Sequence, residues 1–261
     1  MDNIENYKKY INIKKDNFEN LCDYYYITIK KNISNTTHII PRLHYTTKDE
    51  FKNSQSLYDV MKDGKHLFGV NAGLFNTKTL EPECLIVKDG VAEMDRLETY
   101  VHVNPNDGEE KRHTMHFLGI DQKGNLKTFE PSYTADQLVE LGIVDAFMGF
   151  APLMVNGIEF EKIDELVPFG AYLNKQRQVI GQLDNEDYYI ITVLEPGLTF
   201  KQTRQLLKQL GINNAYALDN GSSTQTIFHT ERLTPVYRDV TGRKIPTILI
   251  FNPENKQKKS E

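Results

Sequence analysis

Cysteine is scarce in this chain: two in 261 residues, Cys22 and Cys84, far apart and in no CxxC pair. One disulfide is the most that can form, and two buried thiols in a reducing compartment are the favoured arrangement. Excess positive charge is lacking as well. The 31 basic residues stand against 36 acidic ones, a net of −5, whereas a nucleic-acid protein carries a basic face that neutralises phosphates. No nucleic-acid partner is expected. Long apolar runs are missing too. The longest, residues 146–155, is broken by Gly149 and Pro152, and a bilayer span needs about 20 apolar residues. The N-terminus, Met1-Asp2-Asn3-Ile4-Glu5, is polar and leads into no apolar stretch. No secretory signal is read, and the chain is expected in the cytoplasm at synthesis. The sequons at Asn32, Asn35 and Asn220 then carry no message.

What is present has the make-up of a soluble globular protein, 39% hydrophobic and 26% charged. The length suits one β-rich or α/β domain with an appendage as well as it suits two domains. Residues 1–67 are read as an N-terminal strand or arm with a helical lead-in, and residues 1–35 stand apart as rich in Lys, Asn and Tyr. Within them Tyr24-Tyr25-Tyr26-Ile27-Thr28-Ile29 reads as a strand. It is either the N-terminal strand of the main domain or an arm that docks on an assembly partner. Residues 68–254 form the main domain, and 255–261 a solvated polar tail.

Hairpins dominate the middle of the chain. Lys88-Asp89-Gly90 and Asn156-Gly157 are tight-turn signatures between apolar runs. Turns at 121–125 and 184–187 join two further strand pairs. Two helices interrupt them, one over 135–141 ending at Gly142. The stronger begins at Thr199, where Gln202 completes a capping box, and ends at Gly211. The expected class is α+β: a mixed or antiparallel sheet with several hairpins and a few helices.

Several common chemistries find no support. His113 and His116, three apart on one expected strand, face opposite sides and make no metal pair. Gly221-Ser222-Ser223-Thr224 lacks the second glycine of a nucleophile elbow. No P-loop and no GxGxxG occurs. What remains is a set of polar clusters where apolar strands end. Phe68-Gly69-Val70 runs into Asn71-Ala72-Gly73, Arg177 opens an apolar run, and Tyr216-Ala217-Leu218 runs into Asp219-Asn220-Gly221-Ser222-Ser223. The last segment can offer backbone N–H groups and hydroxyls to an anion, with an acid beside them. It is also ordinary turn composition.

Taken in order, these segments resemble the phosphodiester glycosidase family. Asn71-Ala72-Gly73-Leu74-Phe75 is similar to the family's Asn-Ala-Gly-Phe-Phe. Pro152 to Gly157 resembles its Leu-Val-x-Asn-Gly hairpin, and Arg177 to Gly181 its Arg-Thr-Ala-Ile-Gly strand. Ala215 to Ser223 resembles the segment holding Asp-Gly-Gly-Gly-Ser-Ser, and Arg243 with Ile245-Pro246 its closing strand. The resemblance covers residues 68–251. Two departures stand out. Asp219-Asn220-Gly221 is one residue shorter than the family's run and carries an asparagine. Glu195-Pro196-Gly197 stands where an Asp-Gly is common.

The resemblance implies hydrolysis of a sugar-1-phosphodiester. A phosphate ester leaves as a stable anion, so the chemistry needs a cation for the phosphate and a carboxylate for the anomeric centre or the water, more than a strong acid. It implies Asp219, Arg177 and Glu195 as catalytic groups, with Arg243 as a second phosphate fork. Asn71, Gly73, Asn156, Asn220, Gly221, Ser222 and Ser223 would bind substrate. No cofactor is required; a divalent cation beside Asp219 is compatible with its oxygens. Residues rich in Asn, Lys and Ile suggest an AT-rich bacterial or phage genome, a glycan or cell-wall polymer as substrate, and association with a virion as one destination. The competing reading is a non-catalytic carbohydrate- or phosphate-binding module, docked through residues 1–67 in a larger assembly.

Overall fold

The computed structural model describes residues 4–95, 100–103, 110–113, 115–166, 172–236 and 241–256. Sheet dominates, with 44% strand against 17% helix. Every strand pair among the described residues is antiparallel. The expected antiparallel hairpins and few helices are present, and the α+β class is corrected to a sheet-dominated fold. The reason is local: short hairpins join neighbours antiparallel, and parallel neighbours need long crossovers.

The largest sheet has seven strands in the order Ile11–Phe18, Cys22–Ile29, Tyr188–Leu198, Lys175–Gln182, Ala215–Ala217, Ala151–Val155, Ile158–Glu159. A second runs Leu126–Phe129, Phe117–Asp121, Ile143–Met148, Leu85–Lys88, Val91–Asp95. A third runs Glu231–Arg232, Thr226–Phe228, Phe68–Asn71, Thr247–Asn255, Thr37–Tyr45. Tyr100–Val103 and Glu110–His113 pair separately.

Period-2 alternation sends neighbouring residues of the largest sheet into different cores. Val179, Tyr189, Ile191 and Val193 join a core that includes Phe200, Leu206 and Leu207 of the helix Phe200–Gln209. Ile180, Tyr188 and Ile190 join the core shared with Phe68, Val70, Leu118 and Phe251 of the other two sheets. Both faces are thus covered, which is why these strands read as near-continuous apolar runs. Asp89 and Gly90 both take positive φ, at 52° and 78°, and so do Asn156 and Gly157, at 50° and 79°. That is the mirror-image turn that two-residue hairpins require.

Residues 11–45 are built into these sheets. Cys22–Ile29 pairs with Tyr188–Leu198 from Tyr24↔Val193 to Ile29↔Tyr188, and Thr37–Tyr45 pairs along the whole of Thr247–Asn255. No break in the sheets falls at residue 67, and Asn255, assigned to the tail, closes the last strand. The tail beyond 256 lies outside the described residues. Cys22 and Cys84 are both buried free thiols.

The helix Phe200–Gln209 starts as its sequence requires. The Thr199 hydroxyl accepts from the Gln202 backbone N–H at 3.1 Å, and the Gln202 side chain accepts from the Thr199 N–H at 2.9 Å. Replacing Thr199 by Ala is expected to cost about 1 kcal/mol in urea unfolding, with the slope unchanged.

Candidate active site

The strand Ala215–Ala217 lies in the middle of the largest sheet, and the chain leaves it at Leu218, whose N–H still donates to Gln178 O. Asp219 N then donates to Ala72 O, so the next residue already belongs to the gap between two sheets. Asn220 replaces a strand partner with its side chain: its Oδ1 accepts from Gln178 N at 3.0 Å. Gly221 has φ +64°, where a side chain is strained, and opens the 3-10 turn Gly221–Ser223. Asn71 closes the loop from behind. Its Nδ2 donates to Asp219 O at 2.8 Å, and its Oδ1 accepts from Gln225 N at 3.1 Å.

A second distortion brings the facing wall. Lys175 pairs with Leu198 and Arg177 with Val193, so two steps on one strand oppose five on the other. The surplus, Leu194-Glu195-Pro196-Gly197, bulges outward. Gly197 has φ +87°, and a Cβ there would collide with the Lys175 backbone. The cavity between bulge and loop is about 480 Å³ and is lined by Lys175, Gln176, Glu195, Asn220, Ser222 and Arg243, among others.

Asp219 lies beside this cavity, next to the lining residue Asn220 and in the field of Arg243 and Lys175. The carboxylate is half-buried, its Oδ1 accepts from Asn220 N at 2.8 Å, and the Ser223 side chain hydrogen-bonds it. Burial pushes this carboxyl up to about 6; the Ser223 bond, the Arg243 charge, the Asn220 N–H and the Lys175 charge oppose the rise. Arg243 Nη1 donates to Ser222 Oγ at 2.7 Å and Ser223 Oγ at 3.0 Å, and its guanidinium lies 5.0 Å from the Phe75 ring centroid. The Asn220 Nδ2 is buried at the cavity wall with no protein partner. The site thus offers two cations, an unused amide donor and a carboxylate that changes charge near neutral pH. Among the described residues, no group of three or more His, Cys, Asp or Glu could hold a metal ion.

Glu195, Asn220, Gly221, Ser222 and Arg243 line the cavity, and Asp219 and Ser223 lie beside it. Four expectations are corrected. Arg177 does not line the cavity: it is 1% exposed, its Nε donates to Leu198 O at 2.7 Å, its Nη2 to Leu173 O at 2.8 Å, and it stacks 3.9 Å over Phe200. Its alternation with Gln176 and Gln178 turns it to the helix-covered face, and burial lowers it to about 9. Asn71 spends its amide on backbone rather than on substrate. Gly73 is a packing glycine, because a Cβ would come within 2.7 Å of Met148 O. Asn156 forms the exposed hairpin turn beyond Val155, at the opposite end of its strand from Ala151, which pairs with Ala217 beside the loop. Lys175 and Gln176 were missed. The Glu-Pro-Gly run was their signal, since it disfavours a regular strand. The His113 side chain lies outside the described residues.

A family profile described as phosphodiester glycosidase matches residues 65–252. The chain belongs to the phosphodiester glycosidase family. Among solved structures it is similar to the zebrafish N-acetylglucosamine-1-phosphodiester alpha-N-acetylglucosaminidase catalytic domain, auto-inhibited by its pro-peptide. The TM-score is 0.63 at 17% identity, over 93% of this chain and 82% of that one. A hypothetical protein from Synechocystis gives 0.66 at 13%, over 94% and 62%. A putative exported protein from Burkholderia pseudomallei K96243 gives 0.58 at 11%, over 88% and 74%. No curated protein matches the sequence at a significant level. At these identities the structures share the fold.

Two stability predictions follow from the geometry. A carboxyl raised from 3.8 to about 6 binds its proton more tightly folded than unfolded. Wild-type stability therefore falls as pH rises from about 4 through about 6, and the cost is complete above that. Asp219→Asn is expected to raise the melting temperature at pH 8, by on the order of 2 kcal/mol of stability after allowing for partial solvent access, and to give no gain at pH 4. Arg177→Met leaves two carbonyls without their donor and is expected to cost about 3 kcal/mol in denaturant unfolding at pH 7.

Proposed function

We propose that this chain is a hydrolase that cleaves the glycosidic C–O bond of a sugar-1-phosphodiester, releasing the sugar and a phosphate monoester. One observation carries the reading: a half-buried carboxylate of raised pKa lies directly beside a cavity lined by two cations, in a member of this family. Lys175, Arg243 and the free Asn220 amide hold the non-bridging phosphate oxygens. The bond between the anomeric carbon and the bridging oxygen breaks, and its electron pair leaves on the phosphate. That monoester is a stable anion, so no strong acid is needed. A water oxygen bonds to the anomeric carbon. The water's proton passes to a carboxylate, Asp219 in the ionised form or Glu195 across the cavity. No cofactor enters the balance.

The substrate class is a glycan or cell-wall polymer bearing sugar phosphodiesters, and a virion is one place where a chain of this composition would meet it. A non-catalytic binding module is the second reading, favoured by the shortened Asp219-Asn220-Gly221 segment. For an assembly partner, the one-sided strand Ile11–Phe18 at the edge of the largest sheet is the available attachment.

The test is hydrolysis of a panel of sugar-1-phosphodiesters, α-GlcNAc-1-phosphate diesters included. Asp219→Asn is expected to lower kcat about 10²- to 10⁴-fold. In the wild type, kcat/KM should rise with pH through about 6 as Asp219 loses its proton. Arg243→Ala should act mainly through KM. No turnover on any diester, with sugar phosphate still bound by the wild type and lost in Arg243→Ala, would establish the binding module instead.

A further inference from the structure

The strand Lys175–Gln182 touches the Asp219 cavity at its first residue and a different cavity at its last. Their nearest lining residues on this strand are Gln176 and Ile180, so at about 3.3 Å per residue the two come within roughly 13 Å of each other along it. The second cavity is larger, about 580 Å³, and opens between the edge strand Leu126–Phe129 and the largest sheet.

His116 stands in its wall, 3% exposed. Its Nε2 lies 3.1 Å from the Glu130 carboxylate. A carboxylate only accepts, so Nε2 carries the hydrogen and Nδ1 is left as a lone-pair acceptor. Burial lowers the pKa of this imidazole, against the opposing pull of Glu130. The ring is fixed in place: Tyr216 donates its hydroxyl to the His116 carbonyl, and Phe160 packs edge-on with centroids 5.0 Å apart. Yet Nδ1 is buried with no protein partner. A buried acceptor left unsatisfied is costly, and a ligand donor would remove that cost.

The rest of the lining narrows the ligand. The half-buried rings of Phe129 and Phe160 and the exposed Val155 offer apolar surface. Glu130 and Asp184 are acidic, and no Lys or Arg is among the described lining residues. An anion is repelled. Several separated acceptors, Nδ1 and two carboxylates, call for several donors on one molecule, beside an apolar face for the rings. A hydrocarbon satisfies none of the acceptors. A neutral sugar ring has the hydroxyl donors and the C–H face together. We propose that this cleft is a second carbohydrate site, which binds an uncharged glycosyl residue with a hydroxyl donating to His116 Nδ1 and the ring face against Phe129 and Phe160. Its chemistry is the opposite of the Asp219 cavity, where two cations await a charged group, and it does not depend on turnover there.

The experiment is titration of the full chain with methyl α-glucoside, methyl α-GlcNAc and glucose-1-phosphate, read by calorimetry and by the imidazole ¹⁵N signals. The neutral glycosides should bind, and the His116 Nδ1 signal should move upfield as it accepts a hydrogen bond. Phe160→Ala and Glu130→Gln, each checked for an unchanged circular dichroism spectrum, should weaken that binding by about tenfold or more. Arg243→Ala should leave it unchanged while weakening glucose-1-phosphate. The proposal is overturned if neutral glycosides do not bind, if they bind without moving the His116 signal, or if their binding is lost in Arg243→Ala and kept in Phe160→Ala.

Discussion

One carboxamide ties two sheets together under the active-site cavity, and the geometry above it depends on that tie. Asn71 ends the central part of the third sheet, whereas the loop it holds leaves the middle of the largest sheet. A buried amide that donates to Asp219 O and accepts from Gln225 N fixes both ends of the loop at once. Below it, Gln178, Thr192 and Thr226 form a closed set of buried hydrogen bonds between the same two sheets, with Thr192 and Thr226 hydroxyls 2.7 Å apart. Apolar packing would hold the sheets together without choosing a register. Satisfied polar contacts choose one, because a slip of one residue leaves buried groups unpaired.

That fixed floor explains how the site tolerates its own electrostatics. A carboxyl in such surroundings resists ionisation, and Ser223 moderates this by accepting from Arg243 while bonded to Asp219. The arrangement leaves Asp219 titrating close to neutral pH instead of being locked in one state. A fully paired aspartate would favour folding and would be useless as a base at that pH. The wall opposite follows the same logic. The bulge at 194–197 breaks the ladder for four residues, and what it gains is Lys175 and Glu195 facing the loop.

The hairpins and the helix caps were legible because they are local. Asp89-Gly90, Asn156-Gly157 and the Thr199–Gln202 box each need only residues within four positions of one another. The loop 219–223 was legible as a turn, and its composition alone did not separate a turn from a binding loop. The error at Arg177 has a different origin. A family-like segment puts an arginine at the start of a strand, but the face it takes depends on register across the bulge. Lys175, two residues earlier and beyond the point where register shifts, reaches the cavity, and Arg177 turns to the helix face. Asn71 was located correctly and given the wrong partner: an asparagine at a strand end serves a ligand and a loop equally well on paper. The pairing of Cys22–Ile29 and Thr37–Tyr45 with strands about 160 to 220 positions away is long-range and left no local trace.

The strand Lys175–Gln182 then organises more than one feature. At its first residue the ladder is broken by surplus chain, and cations collect. At its last, Gln182 is built into the scaffold: its Oε1 accepts from Leu126 N at 2.8 Å and its Nε2 donates to Glu186 O at 3.0 Å. Between them Gly181 has no room for a side chain, because a Cβ would collide with the Tyr189 hydroxyl and the Asn214 carbonyl. A rigid strand with both faces buried cannot bend to bring its two ends together. The two cavities therefore stay separate along this strand, by the span from Gln176 to Ile180.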